Sequence, residues 1–430
     1  MTLVAFEGIA VATVMPVVGR DLDGLGIYAW SFGAYVAASL LGMVAAGTWC
    51  DRYGPRRSIL AGSWVFGVGA AMAGFAPTMA VLIGARIIQG LGGGALIVAL
   101  YVLIARAYDE DLRPRAFSVL SAAWVLPSLI GPLLAGWLAE SVSWRWAFWL
   151  VPLVMVIPLL ALRGVLRAHD GRIEVAVQPG RITAAVAGAV GLLCLQVALL
   201  RPAGLPLWAA FLIAGIGVVL LVPAARRLLP PGALVLARGL PATVVMRGIL
   251  AGCFFSAEAF LPLALVSERG VPITWAGLIL AVASAGWLIG SFVQSRLPGG
   301  QDRSSTVVIG TLLVALGLGT VPLCLVPSFP VWICVFSWLV GALGMGLSFP
   351  SINVQAMRLS PVSQQGINSS ALQISDAILS SLALAIVGAI HAAAVATGGA
   401  DPGTYTLMWL LGAAGALAAT VVARRMSPAR

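Results

Sequence analysis

Lysine is absent from this sequence: all 25 basic residues among its 430 are arginine. Without an ammonium side chain, no Walker A loop, Schiff base or P-type ATPase signature can be assembled. Charge of either sign is scarce too, at 9%, where a soluble domain carries roughly a quarter. Histidine occurs only at His169 and His391, and the five cysteines show no C-x-x-C or His/Cys ligand spacing. Metal sites and disulfides are therefore not expected, and no cofactor is implied. With 60% apolar residues and a mean hydropathy of +1.03, a water-soluble fold is excluded. No stretch of about a hundred residues is polar enough to form a separate soluble domain. No basic n-region with a small-residue cleavage site opens the chain, so a cleaved signal peptide is not expected.

What remains is a series of apolar runs. A bilayer core of about 30 Å takes roughly 20 apolar residues as a helix. Cutting at charges and Pro/Gly clusters gives fourteen runs, near 1–19, 28–49, 58–75, 79–105, 116–139, 146–167, 182–200, 205–225, 241–266, 274–296, 304–326, 331–357, 365–396 and 404–423. Arginines are unequally shared between the connecting loops: 19 fall on one side, four (Arg20, Arg145, Arg201, Arg269) on the other, and Arg86 and Arg247 inside runs. Because short cytoplasmic loops retain positive charge, both termini are expected in the cytoplasm. The plan is six spans in 1–167, two in a 168–240 linker and six in 241–430. Gly90-Leu91-Gly92-Gly93-Gly94 in span 4 is echoed by Gly341 to Gly346 in span 12, and Gly47 to Arg57 faintly by Gly290 to Arg303. Repeated halves are the build of transporters with a site between two bundles.

The loop after span 2 reads Gly47-Thr48-Trp49-Cys50-Asp51-Arg52-Tyr53-Gly54-Pro55-Arg56-Arg57. An aspartate at a helix end followed by a Gly-broken turn and arginines can latch neighbouring helix ends and so gate them. Span 4 carries Arg86-Ile87-Ile88-Gln89-Gly90-Leu91-Gly92-Gly93, span 5 carries Gly131-Pro132 with Gly136, and Trp144-Arg145-Trp146-Ala147-Phe148 leads into span 6. These stretches resemble the G-x-x-x-D-R-x-G-x-R-R, R-x-x-Q-G-x-G, G-P-x-x-x-G and W-R-W-x-F motifs of the major facilitator superfamily, in particular its fourteen-span drug:proton antiporters. The span 5 pattern departs where Ala123 and Pro127 replace upstream glycines. The resemblance implies an all-α integral membrane protein of two six-helix bundles plus two additional helices, and gives Arg86 a part in proton coupling. A dinucleotide site at the glycine run is excluded, because it lies mid-span with no preceding strand. Gly131-Pro132 predicts a helix bend facing the protein interior.

Intramembrane charge is the sharpest functional signal, since each such group costs a few kcal/mol or more unless paired or hydrated. Glu7, Arg86, Arg247, Glu258 and Asp376 lie within runs. Glu7 stands at the acid-to-Pro spacing, to Pro16, of the antiporter motif L-D-x-T-x-x-N-x-x-x-P, with Ala12 in place of its Asn. A lone carboxyl in low dielectric favours its neutral form and can exchange protons near neutral pH. Arg86 needs a partner, and Glu7 or Gln89 is expected to supply it. Asp376 is a second coupling candidate, or else bonds among Ser375, Ser380 and Ser381. Arg247 can snorkel to the interface. Glu258, Gln89 and Trp124 are expected at the substrate cavity, with Trp30, Trp64, Trp287 and Trp338 as further aromatic candidates for flat cations.

The expected function is a proton-coupled secondary transporter exporting small amphipathic or cationic compounds, set in the inner membrane of a bacterium. Its partners would be substrate, protons and lipid, with no nucleic acid, and a monomer is the default. Export of an endogenous lipid, siderophore or peptide is the alternative within the same fold. A non-transporting sensor is the alternative outside it. No nucleophile–base pair or phosphate loop supports an enzyme.

Overall fold

The computed structural model describes residues 2–108, 125–168, 180–201, 205–298, 302–361 and 364–427. The protein is all-α. The described residues form fourteen α-helices and no strand: α1 (Thr2–Asp21), α2 (Trp30–Tyr53), α3 (Pro55–Gly74), α4 (Met79–Ala107), α5 (Val125–Ser141), α6 (Trp146–Ala168), α7 (Arg181–Leu200), α8 (Leu207–Leu228), α9 (Leu240–Arg269), α10 (Ile273–Ser295), α11 (Ser304–Thr320), α12 (Ile333–Arg358), α13 (Gln365–Ala396) and α14 (Pro402–Arg424). Twelve are long and apolar enough to cross a membrane. The other two are α3, which opens on Pro55, Arg56 and Arg57, and α5, which is described only from Val125.

Local chemistry sets the ends. Gly54, at φ +85°, stops α2 while Pro55 starts α3 at its first position, so a single residue separates the two helices. Asp401 and Thr404 form a reciprocal capping box that opens α14. Apolar side chains on α6 and α8, such as Leu153, Ile157, Trp208, Phe211 and Val219, point outward as a lipid-facing surface requires.

Packing repeats between the halves. Within residues 2–168, α4 packs on α2 and α3, α1 on α5 and α6, and α3 on α6; within 240–424, α12 packs on α10 and α11, α9 on α13 and α14, and α11 on α14. The halves meet through α5 against α10 and α2 against α13. Helix α7 leans on α2 and α13, and α8 on α7. A buried polar pin holds α7 in place, because Gln196 Nε2 donates to Ser381 Oγ at 2.7 Å on α13.

Glycines make the repeat physical. A Cβ on Gly92 would strike Gly62 and Phe66 of α3, and one on Gly344 would strike Gly310 and Val314 of α11. Likewise Gly94 lies against the Ser39 carbonyl and Gly346 against that of Trp287, while Gly42 faces Leu91 as Gly290 faces Leu343. Backbones this close maximise dispersion where lipid removes any hydrophobic drive to associate. Gly290 therefore corresponds in packing to Gly42, not to Gly47 as the loop echo suggested. The neighbour at Gly94 is backbone and cannot rotate away. Gly94→Val is expected to cost about 2–3 kcal/mol through overpacking, read as lower heat tolerance in detergent, whereas a valine at Gly84, where a Cβ meets nothing within 4 Å, should leave it unchanged.

Candidate functional site

Among the described residues two acid–base pairs are seen inside the helical body, one in each half. In the first, Arg86 Nη1 of α4 donates to Glu7 Oε1 of α1 and, at 2.7 Å, to Gln89 Oε1. Arg86 Nε donates to the Ser31 carbonyl at 3.0 Å, and the guanidinium lies 4.3 Å from the Tyr35 ring centre. The pair is sealed: Glu7 has no exposed surface, and its Oε2 and Gln89 Nε2 lack hydrogen-bond partners. The i, i+3 spacing puts Arg86 and Gln89 on one face of α4.

The second pair is open. Arg247 Nε of α9 donates to Asp376 Oδ2 of α13 at 2.8 Å, and Arg247 Nη1 donates to Asn353 Oδ1 of α12. The Asp376 side chain is 18% exposed and Asn353 is exposed, so this pair is partly exposed towards the arginine-rich end of the helices, while Asp376 Oδ1 itself is buried without a hydrogen-bond partner. Arg247 also stacks 4.7 Å from the Phe349 ring centre. Tyr101 of α4 lies within electrostatic reach of both charges, bringing the other half to the site.

Arg247 thus does not snorkel, because a carboxylate and an amide within reach satisfy it better than the interface would. Nor does Asp376 bond within the serine cluster: Ser375 Oγ is unpartnered, and Ser381 receives Gln196 instead. Asn353, Tyr35 and Tyr101 were missed by sequence reasoning. Only the contact of separate helices distinguishes them from other polar residues in apolar runs.

Above Arg247 on α9 come Phe255 and Glu258, about 12 and 16 Å further along the axis. Phe255 stacks on Trp287 of α10 (6.4 Å between ring centres, 20° between planes) and meets Phe349 edge-on at 6.3 Å, while Trp287 and Phe349 are 5.2 Å apart. Phe255 is half exposed, and Glu258, one turn on, is partly exposed and has no hydrogen-bond or ion-pair partner among the described residues. The three rings form an aromatic cluster beside one carboxylate that has no counter-charge among the described residues. Of the other aromatic candidates, Trp338 is buried on Phe254 (4.8 Å, stacked), and Trp64 is 72% exposed on the outer surface. Trp124 falls outside the described residues.

At the arginine-poor end the halves are tied together. Tyr28, fully buried beside Phe32, Phe260 and His391, donates its hydroxyl to the Ala259 carbonyl at 3.0 Å. Thr274 of α10 gives its N–H (3.1 Å) and hydroxyl (2.7 Å) to Glu140 of α5. Trp144 donates to Asp21 at 2.8 Å and Arg145 to the Gly74 and Ala76 carbonyls at 3.1 and 2.9 Å, so the W-R-W-x-F loop binds the ends of α1 and α3. Gly131 packs on Phe6, and the helix runs on through Pro132, whose carbonyl faces Gly277 of α10.

The loop motif at the arginine-rich end has a similar economy. Arg52 and Arg57 lie 5.3 and 5.6 Å from the Tyr53 ring centre, and Asp51 is within electrostatic reach of Arg181 at the start of α7. Gly47 lets α2 pass Val98 of α4, while Arg56 is half-buried in the first turn of α3. In the other half, burial favours the neutral form of Asp302, but hydrogen bonds from Ser427 and Ser304 outweigh it and hold the carboxyl below its usual range.

The profile of the Major Facilitator Superfamily matches residues 1–384. The chain belongs to that superfamily. It is similar to Multidrug resistance protein 3 of Bacillus subtilis, 28% identical over 363 residues that cover 82% of this chain and 70% of that protein. Multidrug transporter protein MdtP of the same species is 25% identical over 400 residues, covering 90% of this chain and 72% of its own. Among solved structures, a peptide transporter POT in complex with sulfate superposes with a TM-score of 0.70 at 16% identity, covering 98% of this chain and 92% of that one. That likeness shows the fold alone. As a member of the superfamily, this chain is a multi-pass membrane transporter of small molecules and not an enzyme.

Proposed function

We propose that this transporter exports small cationic or amphipathic compounds in exchange for protons, by alternating access. The observation that carries the reading is the sealed Glu7–Arg86 pair in the same body as an aromatic cluster beside Glu258, which has no counter-charge among the described residues. The arginine-rich end, with both termini, is assigned to the cytoplasm of a bacterial cell and the arginine-poor end to the outside. The present state is then inward-facing: Asn353 is exposed and Asp376 partly so, while Tyr28 and Glu140 close the far end. Residues 1–167 and 241–430 move as two bundles about the site, with 168–240 as a peripheral linker, and the working unit is the monomer.

Substrate enters from the cytoplasm past Arg247 and Asp376, and its charge is met by Glu258 with ring faces of Phe255, Trp287 and Phe349 around it. A proton arriving from outside binds the free oxygen of Glu7 and weakens its hold on Arg86. Arg86 also holds the Ser31 carbonyl, one turn from Tyr28, and Tyr28 holds the carbonyl of Ala259, the residue after Glu258. Protonation at Glu7 and occupancy at Glu258 thereby bias one two-state element, the Tyr28 closure. The Gly131-Pro132 step in α5, beside α1 and α10, is the assigned bend, and the Asp51–Arg57 loop the inner latch.

Reconstituted in liposomes, the protein is expected to drive out a fluorescent monovalent cation only under an imposed pH gradient; gradient-independent release would sink the coupling. Tyr28→Phe keeps the ring and deletes one hydrogen bond worth about 1 kcal/mol, so it should raise the outward-open population about fivefold. Spin labels at Asp23 and Ala396 would report it as growth of a longer distance. An unchanged distribution would remove Tyr28 from the gate.

A further inference from the structure

We propose that α7 is a strap across the seam between the two halves, held fast by the second half and sliding on the first. Helix α7 packs on both α2 and α13, which also pack on each other, so it lies over the line along which the halves part. When two bundles rock about a shared site, an element that touches both must release one of them. The chemistry of its two contacts decides which.

Toward α13 the contact is polar and directional. Gln196 gives its Nε2 to Ser381 Oγ at 2.7 Å, and both residues are buried. The Gln196 Oε1 has no hydrogen-bond partner, so losing Ser381 would leave the whole amide unsatisfied inside the protein. Leaving a buried polar group unsatisfied costs most where no water replaces the bond. Four residues on, Leu200 fills the space that Gly388 of α13 leaves open, where a Cβ would stand 3.0 Å from Leu200 Cδ2. The exit of the α7–α8 hairpin is tied to the same half, because Gly239, just before α9, donates its N–H to the Arg425 carbonyl at the end of α14 at 2.8 Å.

Toward α2 the contact is smooth. Gly33 of α2 makes room for the Gln196 amide, since a Cβ there would lie 2.6 Å from Nε2, and a Cβ on Gly188 of α7 would lie 3.3 Å from Leu40 Cδ2 of α2. Glycine faces let helices pack closely without a directional bond to lose when they shift. At the arginine-rich end Arg181 is within electrostatic reach of Asp51, but both are partly exposed, and water replaces such a contact readily. The linker hairpin therefore travels with the second bundle. As α2 moves beneath it, α7 keeps the seam covered from the bilayer.

The inference rests on the alternating access proposed above, and the test separates the two. Three exposed positions at the arginine-poor end triangulate the motion: Asp23 in the first half, Leu199 on α7 and Ala396 on α13. Spin labels are placed there in pairs on the full-length protein, in acidic and alkaline buffer, with and without Tyr28→Phe. Where the Asp23–Ala396 pair gains a longer distance, Asp23–Leu199 is expected to gain one in the same proportion, and Leu199–Ala396 to stay unchanged. Gln196→Leu keeps the bulk and cuts the pin, so it should raise the share of a longer Leu199–Ala396 distance about fivefold. Lengthening of Leu199–Ala396 with Asp23–Leu199 fixed would assign α7 to the first half and overturn the proposal. Lengthening of both pairs, or a Leu199–Ala396 distance indifferent to Gln196→Leu, would overturn it too. An Asp23–Ala396 distance that never changes would mean that alternating access itself has failed, and the strap with it.

Discussion

Glu7→Gln is expected to abolish pH-gradient-driven efflux, lowering the initial rate by at least about 100-fold in liposomes matched for protein content. The glutamine amide is close to the carboxyl in size and can still accept from Arg86, but it cannot carry the exchanged proton. The substitution also leaves the Arg86 guanidinium without a counter-charge in a space with almost no exposure. Breaking a buried pair by removing one partner costs about 3–5 kcal/mol, softened here by the Ser31 carbonyl, the Gln89 amide oxygen and the Tyr35 ring. Lost folding would imitate lost coupling, so the double variant Glu7→Gln with Arg86→Met separates them. It removes both charges and should recover heat tolerance without recovering transport. Gradient-driven efflux within about twofold of wild type in a folded Glu7→Gln protein would make Glu7 structural and shift coupling to Asp376.

The second large effect is one of selectivity. Glu258→Gln should weaken binding of a monovalent cation by about 10–100-fold, or about 1.4–2.8 kcal/mol, in line with a charge pair a few ångströms apart at intermediate dielectric. A neutral analogue of the same shape should bind as before, because the stacked Phe255 and Trp287 rings and Phe349 remain. Isothermal titration of the detergent-solubilised protein with the two ligands measures the difference directly. Equal losses for both would mean that Glu258 only shapes the cavity, and no loss for either would place the cation elsewhere. The pair Arg247–Asp376 cannot substitute as the cation site while Arg247 occupies it.

Much of this was legible because lipid is a severe solvent. With no water to satisfy backbone groups, a run of about 20 apolar residues has one outcome, a helix, so the helical plan and most boundaries follow from counting. Glu7, Arg86 and Gln89 could be singled out because charge in such a run is costly wherever it occurs, and the i, i+3 step from Arg86 to Gln89 fixes a shared face. The Gly92 and Gly94 packing against α3 and α2 was also foreshadowed, since small residues are what close helix pairs require.

Arg247 marks where such reasoning stops. Seven residues into α9, a snorkelling arginine and a paired one look identical along the chain, and the choice depends on α12 and α13 arriving with Asn353 and Asp376 at the right height. Among Trp64, Trp287 and Trp338, hydropathy assigns similar environments, yet one faces outward, one joins the Phe255–Phe349 ring cluster and one fills the core. The sequence by itself determined a polytopic helical membrane protein with repeated halves, its charged residues and the sided distribution of its arginines, because each depends on composition and local period. The tertiary structure alone decided which charges pair, which carboxylate is left without a counter-charge and which end is closed, because these depend on the relative height and rotation of helices far apart in the chain.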